Sequence, residues 1–409
     1  MLSSTFPYPP SRGGTQVRTF NLLKYLSRRH NVILGTVRSP DVTDAQIDAL
    51  QQHVAKLAVF ETPIAVSTGI GGKFHRFSQF LLSGTPPNVL SSYSIAMQNW
   101  ADELVASGQC DAVTCEHSVN EIYVRPEWRQ KLLTVANIHS SVWGTCREML
   151  ATDTSQKPLR DRLNLPLLAR YETRYCSKFS RIVATTSTDK QQLLELLSPP
   201  QRRGRADLFV PTIDVIPNGV DLVEFPYRSI DPGGHTLIFA GAMNNLPNID
   251  AAQFLSLQIL PLLQQRYPDS TLTLVGTSPV PSVLALGKLP GIQVVGRVQR
   301  VAEYLHQAAV CVVPMRIGFG IKNKTLEAMA AGTPVVASDR GLEGLAVDGD
   351  SQPTRALRAN KVQEYVEAIS SLFENQQLRQ ELSLSARSLV ETEYTWDIIG
   401  RQYDRLLQF

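Results

Sequence analysis

Short runs of β-branched and aliphatic residues alternate along the whole chain with segments whose apolar positions recur every three or four residues. In the first half, residues 31–37, 112–115, 132–136 and 181–185 are continuous apolar runs too short for helices and are predicted as buried strands. Between them, residues 19–29 place Phe20, Leu23, Tyr25 and Leu26 at near-helical spacing, and residues 95–104 repeat that pattern. The second half shows the alternation more plainly. A strand pattern over 235–240 runs into Gly241, 271–275 into Gly276, 292–295 into Gly296, and 310–313 into Pro314. Residues 334–337 follow the helical run Leu326-Glu327-Ala328-Met329-Ala330. Strand–helix alternation of this kind predicts an α/β class with parallel sheets covered by helices on both faces. A glycine just past a strand lets the backbone turn sharply and approach a ligand closely, and here it recurs from strand to strand.

The turn signal Pro217-Asn218-Gly219 marks a hinge within residues 214–225, and the polar stretch 227–234, with Pro232-Gly233-Gly234, reads as linker. No internal repeat of solenoid period appears. A length of 409 residues asks for two or three cores, and 43% hydrophobic with 19% charged residues is a globular composition. The longest apolar stretches, such as 308–315, fall well short of the ~18 residues that span a bilayer. The opening Met1-Leu2-Ser3-Ser4-Thr5 carries neither a basic region nor an apolar core, so no export signal is expected. Five cysteines without a CxxC pair favour reduced thiols in a cytosol.

The formal charge of +3 is uneven: residues 1–215 carry 24 Lys/Arg against 18 Asp/Glu, and residues 216–409 carry 16 against 19. A basic first half suits an anionic substrate or lipid head groups, and equally an uneven solvated surface. Nucleic acid is disfavoured, because the basic cluster Arg202-Arg203-Gly204-Arg205 is short and lacks interleaved aromatics.

Three places carry candidate chemistry. In the loop over 7–18, Gly13 and Gly14 precede a helix and can present backbone N–H groups to an anion, with Arg18 one turn further on. In the segment 316–330, Gly318-Phe319-Gly320 opens a helix with Lys322 and Lys324 at its start and Glu327 beyond. Cations at a helix amino end oppose the macrodipole unless an anion compensates, so Arg316, Lys322 and Lys324 suggest a diphosphate there, with Glu327 accepting from sugar hydroxyls. His117 and His139 each follow a predicted strand of the first half, where open α/β sheets gather their ligands and where a neutral imidazole can hydrogen-bond a sugar or move a proton. No GxSxG elbow, HExxH helix or P-loop lysine appears. An Asp-x-Asp metal pair of the kind that holds a nucleotide diphosphate through a cation is read as missing, so no metal is expected.

These residues bring the chain close to a known family. It resembles a GT-B type glycosyltransferase, similar to family four (group 1) and its exopolysaccharide-associated subset. The likeness rests on Pro7-Tyr-Pro-Pro with Gly13-Gly14 and Arg18, on Cys115-Glu116-His117, and on Ile216-Pro-Asn-Gly-Val-Asp221. It continues through Phe239-Ala-Gly241, Gly318-Phe-Gly320 with Glu327-Ala-Met-Ala, and Tyr394-Thr-Trp396. The resemblance implies two Rossmann-like domains facing across a cleft: an acceptor-binding domain over 1–220, completed by a crossing helix over 393–409, and a nucleotide-sugar-binding domain over 221–392. It implies His117 and Glu327 as catalytic residues and His139 on the acceptor side. Donor binding is implied for Gly14, Arg18, Gly241, Asn244, Arg297 and Val298, and for Arg316, Gly318, Gly320, Lys322, Lys324 and Glu327. Many members carry a first glutamate where this chain has Phe319, and an Arg and Lys where it has residues 241–250.

The function so implied is a retaining, metal-independent transfer from a nucleotide sugar to a saccharide or lipid-linked acceptor, without a cofactor, in polysaccharide or glycoconjugate synthesis. The leaving diphosphate deprotonates the acceptor in that scheme. A cytoplasmic protein with peripheral contact to the inner membrane face is the expected setting. A nucleotide-sugar epimerase and a non-catalytic nucleotide-sugar binding protein are the alternatives on the same fold; a nicotinamide dehydrogenase is disfavoured by the lack of GxGxxG spacing. At the ends, the first strand is expected to be short or to begin upstream, and Ile398, Ile399, Tyr403, Leu406 and Leu407 form one helical face. That face is expected to bury against the first domain, with a membrane-surface tail as the other reading.

Overall fold

The computed structural model describes all residues except 11–12, 63–79, 82–83, 199–208, 350–352 and 409; the basic cluster 202–205 lies outside the described residues. The chain divides into two compact units, Met1–Pro217 with Gly400–Phe409, and Asn218–Ile399.

The first unit is built on β1 (Leu2–Ser3), β2 (Ile33–Arg38), β3 (Lys56–Glu61), β4 (Ala112–Glu116), β5 (Leu133–Asn137), β6 (Arg181–Ala184) and β7 (Thr212–Val215). They pair in parallel in the order β3-β2-β1-β4-β5-β6-β7. The second unit is built on β8 (Thr236–Ala240), β9 (Thr271–Val275), β10 (Ile292–Gly296), β11 (Val310–Val313), β12 (Val335–Ala337) and β13 (Leu357–Arg358), in the order β10-β9-β8-β11-β12-β13, again parallel. Each sheet starts in its interior, runs outward one way, then returns to run outward the other way. The strand order therefore reverses between β1 and β4 in one unit and between β8 and β11 in the other. Ligands of open parallel sheets collect at the carboxyl ends of the strands flanking such a reversal. The α/β class and the two Rossmann-like sheets agree with the sequence expectation.

Central strands are buried on both faces, as a covered parallel sheet requires: Leu237, Ile238 and Phe239, with Val310–Val313 beside them, are almost wholly inaccessible. Where strand ends converge, glycine is obligatory. A Cβ on Gly276 would stand 1.7 Å from the carbonyl oxygen of Gly241, so the turns after β8 and β9 lie in direct backbone contact.

The last helix, Trp396–Leu407, begins in the second unit and ends in the first. Within the first unit its apolar face is buried through Tyr403 and Leu406, and Gly400 lies flat on the Tyr25 ring. Asp404, on the same helix, accepts from His30 Nε2 at 2.5 Å and pairs with Arg29 at 3.4 Å. With this face covered, the reading of the stripe as an exposed membrane tail is set aside. Gly400→Val would place a Cβ 2.2 Å from Tyr25 Cγ; overpacking of this kind should cost about 1–3 kcal/mol, read as a lowered denaturant midpoint with an unchanged slope.

Candidate functional site

In the first unit, the carboxyl ends of β4 and β5 carry both predicted histidines. Their rings lie 5.2 Å apart, and burial keeps both imidazoles below their ordinary pKa, His139 well below. His117 holds a backbone φ of 91°, uncommon for a residue with a side chain, and its Nδ1 accepts from the Val119 N–H at 3.3 Å. With Nδ1 accepting, the neutral ring carries its proton on Nε2.

Arg18 stands elsewhere than its expected role. It is fully buried, donating through Nε to Asn137 Oδ1 at 2.9 Å, through Nη1 to the Pro217 carbonyl at 2.7 Å, and through Nη2 to the Ile216 carbonyl at 2.9 Å. Asn137 in turn donates to Glu116 Oε2 at 2.8 Å, and Thr114 donates to Oε1 of the same carboxylate at 3.0 Å. The guanidinium is thus spent on protein oxygens; expected as a phosphate ligand, Arg18 is a structural tie between the first helix and the segment that leaves β7. Gly14 does open its helix, Gly14–Leu26, with exposed backbone and no side-chain cap.

In the second unit, the helix Asn323–Ala331 starts beneath the loop after β11. Gly318 and Gly320 both adopt positive φ, 92° and 75°, which only glycine takes without strain. Asn218, from the Pro-Asn-Gly turn, donates to Asn323 Oδ1 at 2.8 Å and so pins the start of this helix. Lys324 reaches back toward β8: Nζ donates to Asn248 Oδ1 at 2.5 Å, lies 3.8 Å from Met315 Sδ, and sits 4.9 Å from the Phe239 ring centroid. A Cβ on Gly241 would meet both Asn248 and Lys324 Nζ, so Gly241, Asn248 and Lys324 form one wall. Burial lowers Lys324 to a pKa of about 8. Glu327, one turn along the same helix, is raised to about 7 by burial first and by the Glu224 carboxylate second.

The remaining cations are engaged within the unit. Arg316 forks onto Asp250, Nε to Oδ2 at 3.0 Å and Nη2 to Oδ1 at 2.5 Å, and stacks on Phe254. Lys322 donates to the Gly320 carbonyl and lies 3.6 Å from Glu343. Phe319, at the position of the family's first glutamate, is covered by the Arg340 guanidinium at 4.4 Å, and Arg340 also pairs with Glu343 at 3.3 Å. Asn244 and Arg297 are exposed and Val298 half-buried, each in a turn after β8 or β10. Asn248 and Glu343 went unread as site residues in the sequence, because a buried amide and a turn carboxylate carry no signal until the fold brings them to their partners.

One Asp-x-Asp spacing does occur, Asp348-Gly349-Asp350. Asp348 is held by a fork from Arg358, at 2.8 Å through each nitrogen, and Asp350 lies outside the described residues. Among the described residues no group of three His, Cys, Asp or Glu is arranged to hold a metal ion.

Comparison with known proteins places these features. Residues 12–224, more than half of the chain, match the family model described as Glycosyltransferase Family 4, and residues 234–375 match Glycosyl transferases group 1. A phosphatidyl-myo-inositol mannosyltransferase of Mycolicibacterium smegmatis is 30% identical over 202 residues, 47% of this chain and 51% of that protein. A glycogen synthase of Mycobacterium tuberculosis is 26% identical over 230 residues, 54% of this chain and 51% of that protein. The matched region thus spans about half the length of these relatives. Among solved structures, Anabaena HepE in complex with UDP aligns with a TM-score of 0.65 at 15% identity, covering 99% of this chain and 98% of that one. The sucrose-phosphate synthase of Thermosynechococcus elongatus aligns at 0.68 and 18% identity, covering 99% and 97%. At these identities the structures establish a shared fold.

Two outcomes follow. Arg18→Met should destabilise the protein by about 3–5 kcal/mol, because it leaves the buried Glu116 network and two carbonyls without their cation; a normal melting temperature with weakened nucleotide binding would restore Arg18 to the ligand. The second concerns pH. Glu327 has a raised folded pKa, so the stability it contributes is full below about 4.5 and is lost as pH rises through about 7. Lys324 has a depressed one, so its contribution is present above about 10.5 and lost as pH falls through about 8. Glu327→Gln should therefore flatten the fall in melting temperature between about pH 5 and 7, leaving the alkaline limb in place; an unchanged acid limb places the titration elsewhere.

Proposed function

The chain belongs to glycosyltransferase family 4, and on that premise we propose that it transfers a sugar from a nucleotide-sugar donor to a saccharide or lipid-linked acceptor, retaining the anomeric configuration, without a metal or cofactor, in polysaccharide or glycoconjugate synthesis. The observation that carries the reading is Lys324: a desolvated cation at the positive end of a helix, bonded to an amide oxygen and a thioether. An anion is what such a group lacks, and the donor diphosphate supplies two.

In this reading the second unit holds the donor. Lys324 and the amides of the Gly318–Gly320 loop meet the diphosphate, Asn248 fixes the lysine, and Glu327 accepts from the sugar hydroxyls. The first unit holds the acceptor, with His117, whose Nδ1 is held by the Val119 N–H, orienting the transferred sugar and His139 on the acceptor side. The bond from the anomeric carbon to the diphosphate oxygen breaks, the acceptor oxygen bonds to that carbon on the same face, and the acceptor proton passes to the departing phosphate oxygen. Catalysis then rests on stabilising charge that grows on the leaving group.

The test is a thermal-shift screen against UDP-, GDP- and ADP-sugars followed by turnover with the sugar that binds. Lys324→Gln should weaken that binding by about 1.5–3 kcal/mol, the worth of a hydrogen bond to a charged group, and transfer should persist in excess chelator. Conversion of the nucleotide sugar with no acceptor present would instead indicate an epimerase, and binding without any turnover a non-catalytic protein.

A further inference from the structure

Two helices of the first unit, Val142–Ala151 and Pro158–Cys176, follow β5 and pack as an antiparallel pair. Their register is given by two contacts. Glu172 accepts from Ser141 Oγ at 2.7 Å and from the Trp143 N–H at 2.9 Å, while Cys146 lies against the Asp161 carbonyl at 3.5 Å. As the first helix advances from 141 to 146, its partner retreats from 172 to 161. The thirteen steps from Glu172 back to Leu159 at 1.5 Å per residue separate the tip from that contact by roughly 20 Å of helix.

That tip has an unusual surface. Leu159, Leu163, Pro166 and Arg170 recur at helical spacing on one face, and all are exposed, the two leucines at 76% and 64%. Lys157, Arg160 and Arg162 flank them, also exposed. Both acids of the helix turn inward instead: Glu172 is fully buried under the first helix, and Asp161 is 7% exposed, bonded by Ser155 and Arg160. Asp153, in the connecting turn, is the one exposed acid among residues 151–170. A single exposed leucine needs no explanation, but two side by side within a cluster of cations specify a partner that is apolar and anionic together. Long basic side chains can reach phosphates while their stems lie along hydrocarbon.

We propose that this tip docks the first unit on an anionic lipid bilayer, with Leu159 and Leu163 entering the boundary between head groups and acyl chains and Lys157, Arg162 and Arg170 meeting lipid phosphates. The pair begins at Ser141, two residues after His139, so docking would bring a lipid-linked acceptor to the acceptor side. That last step rests on the function proposed above; the docking itself does not.

The test is cosedimentation of the full chain with vesicles of equal parts phosphatidylcholine and phosphatidylglycerol, and with phosphatidylcholine alone. The expected result is binding to the anionic vesicles, release by raised salt, and little binding to the neutral ones. Leu159→Ser/Leu163→Ser and, separately, Lys157→Glu/Arg162→Glu should each lower the partition by about tenfold or more, with melting temperature and nucleotide binding unchanged. The proposal is overturned if the full chain stays in solution with anionic vesicles at low salt, or if both variants bind as the parent does. It is also overturned if the leucine variant turns a dimer into a monomer in sedimentation without changing vesicle binding, since the face would then seat a second copy. Because partition is read without turnover, a protein that binds vesicles yet transfers no sugar would sink the proposed function and leave this docking intact.

Discussion

A lysine ammonium placed at the positive end of a helix, in a largely desolvated pocket and with its hydrogen bonds made to neutral atoms, is an interaction left incomplete by the protein itself. Lys324 is in that position, and much of the second unit is arranged to keep it there. Gly241 has no side chain that would displace it, Asn248 holds its Nζ, and the Pro-Asn-Gly turn pins the helix on which it rides. Its pKa near 8 measures the cost: the folded chain gives up part of the stability of a solvated cation to keep the charge in place. An anionic ligand removes that cost, and binding is then linked to folding.

The first unit treats its buried charges in the opposite way. Arg18 and Glu116 are bridged by Asn137, and the remaining guanidinium nitrogens are capped by the carbonyls of Ile216 and Pro217. That network is closed and needs nothing from outside. The surface the unit offers is instead a pair of imidazoles kept neutral by burial. Two sheets of the same kind, each with a reversal of strand order, therefore present different chemistry: one a buried cation, the other uncharged hydrogen-bonding rings.

How much of this was legible in the sequence depended on burial. The strands read directly include the interior ones, β4–β6, β8, β9, β11 and β12, whose two covered faces demand continuous apolar runs. Unread were β3, β7 and β13, all at sheet edges, where residues such as those of Lys56–Glu61 are only partly covered and their pattern is mixed. The glycine loop with Lys324 and Glu327 was visible because φ and helix-end electrostatics constrain residue type locally. Arg18 was misplaced because an arginine after two glycines looks the same whether it faces a phosphate or a carbonyl 198 positions away. Only the fold distinguishes them.

Phe319 shows how a departure from a family pattern is absorbed. It stands between two glycines at positive φ, so its side-chain direction is set by backbone that other residues would not adopt. An aromatic ring there cannot accept from a hydroxyl. The ring is instead faced by Arg340, whose partner Glu343 lies also beside Lys322, which in turn bonds the Gly320 carbonyl. The polar groups near the loop are thus supplied by the turn after β12 instead of by the loop residue itself. Glu343 is buried, with two cations within 4 Å to balance it, so this carboxylate is committed to holding the loop. In the function proposed above, recognition of the sugar by a carboxylate then falls to Glu327, because the ring at 319 is occupied by Arg340 and the nearby Glu343 by its two cations.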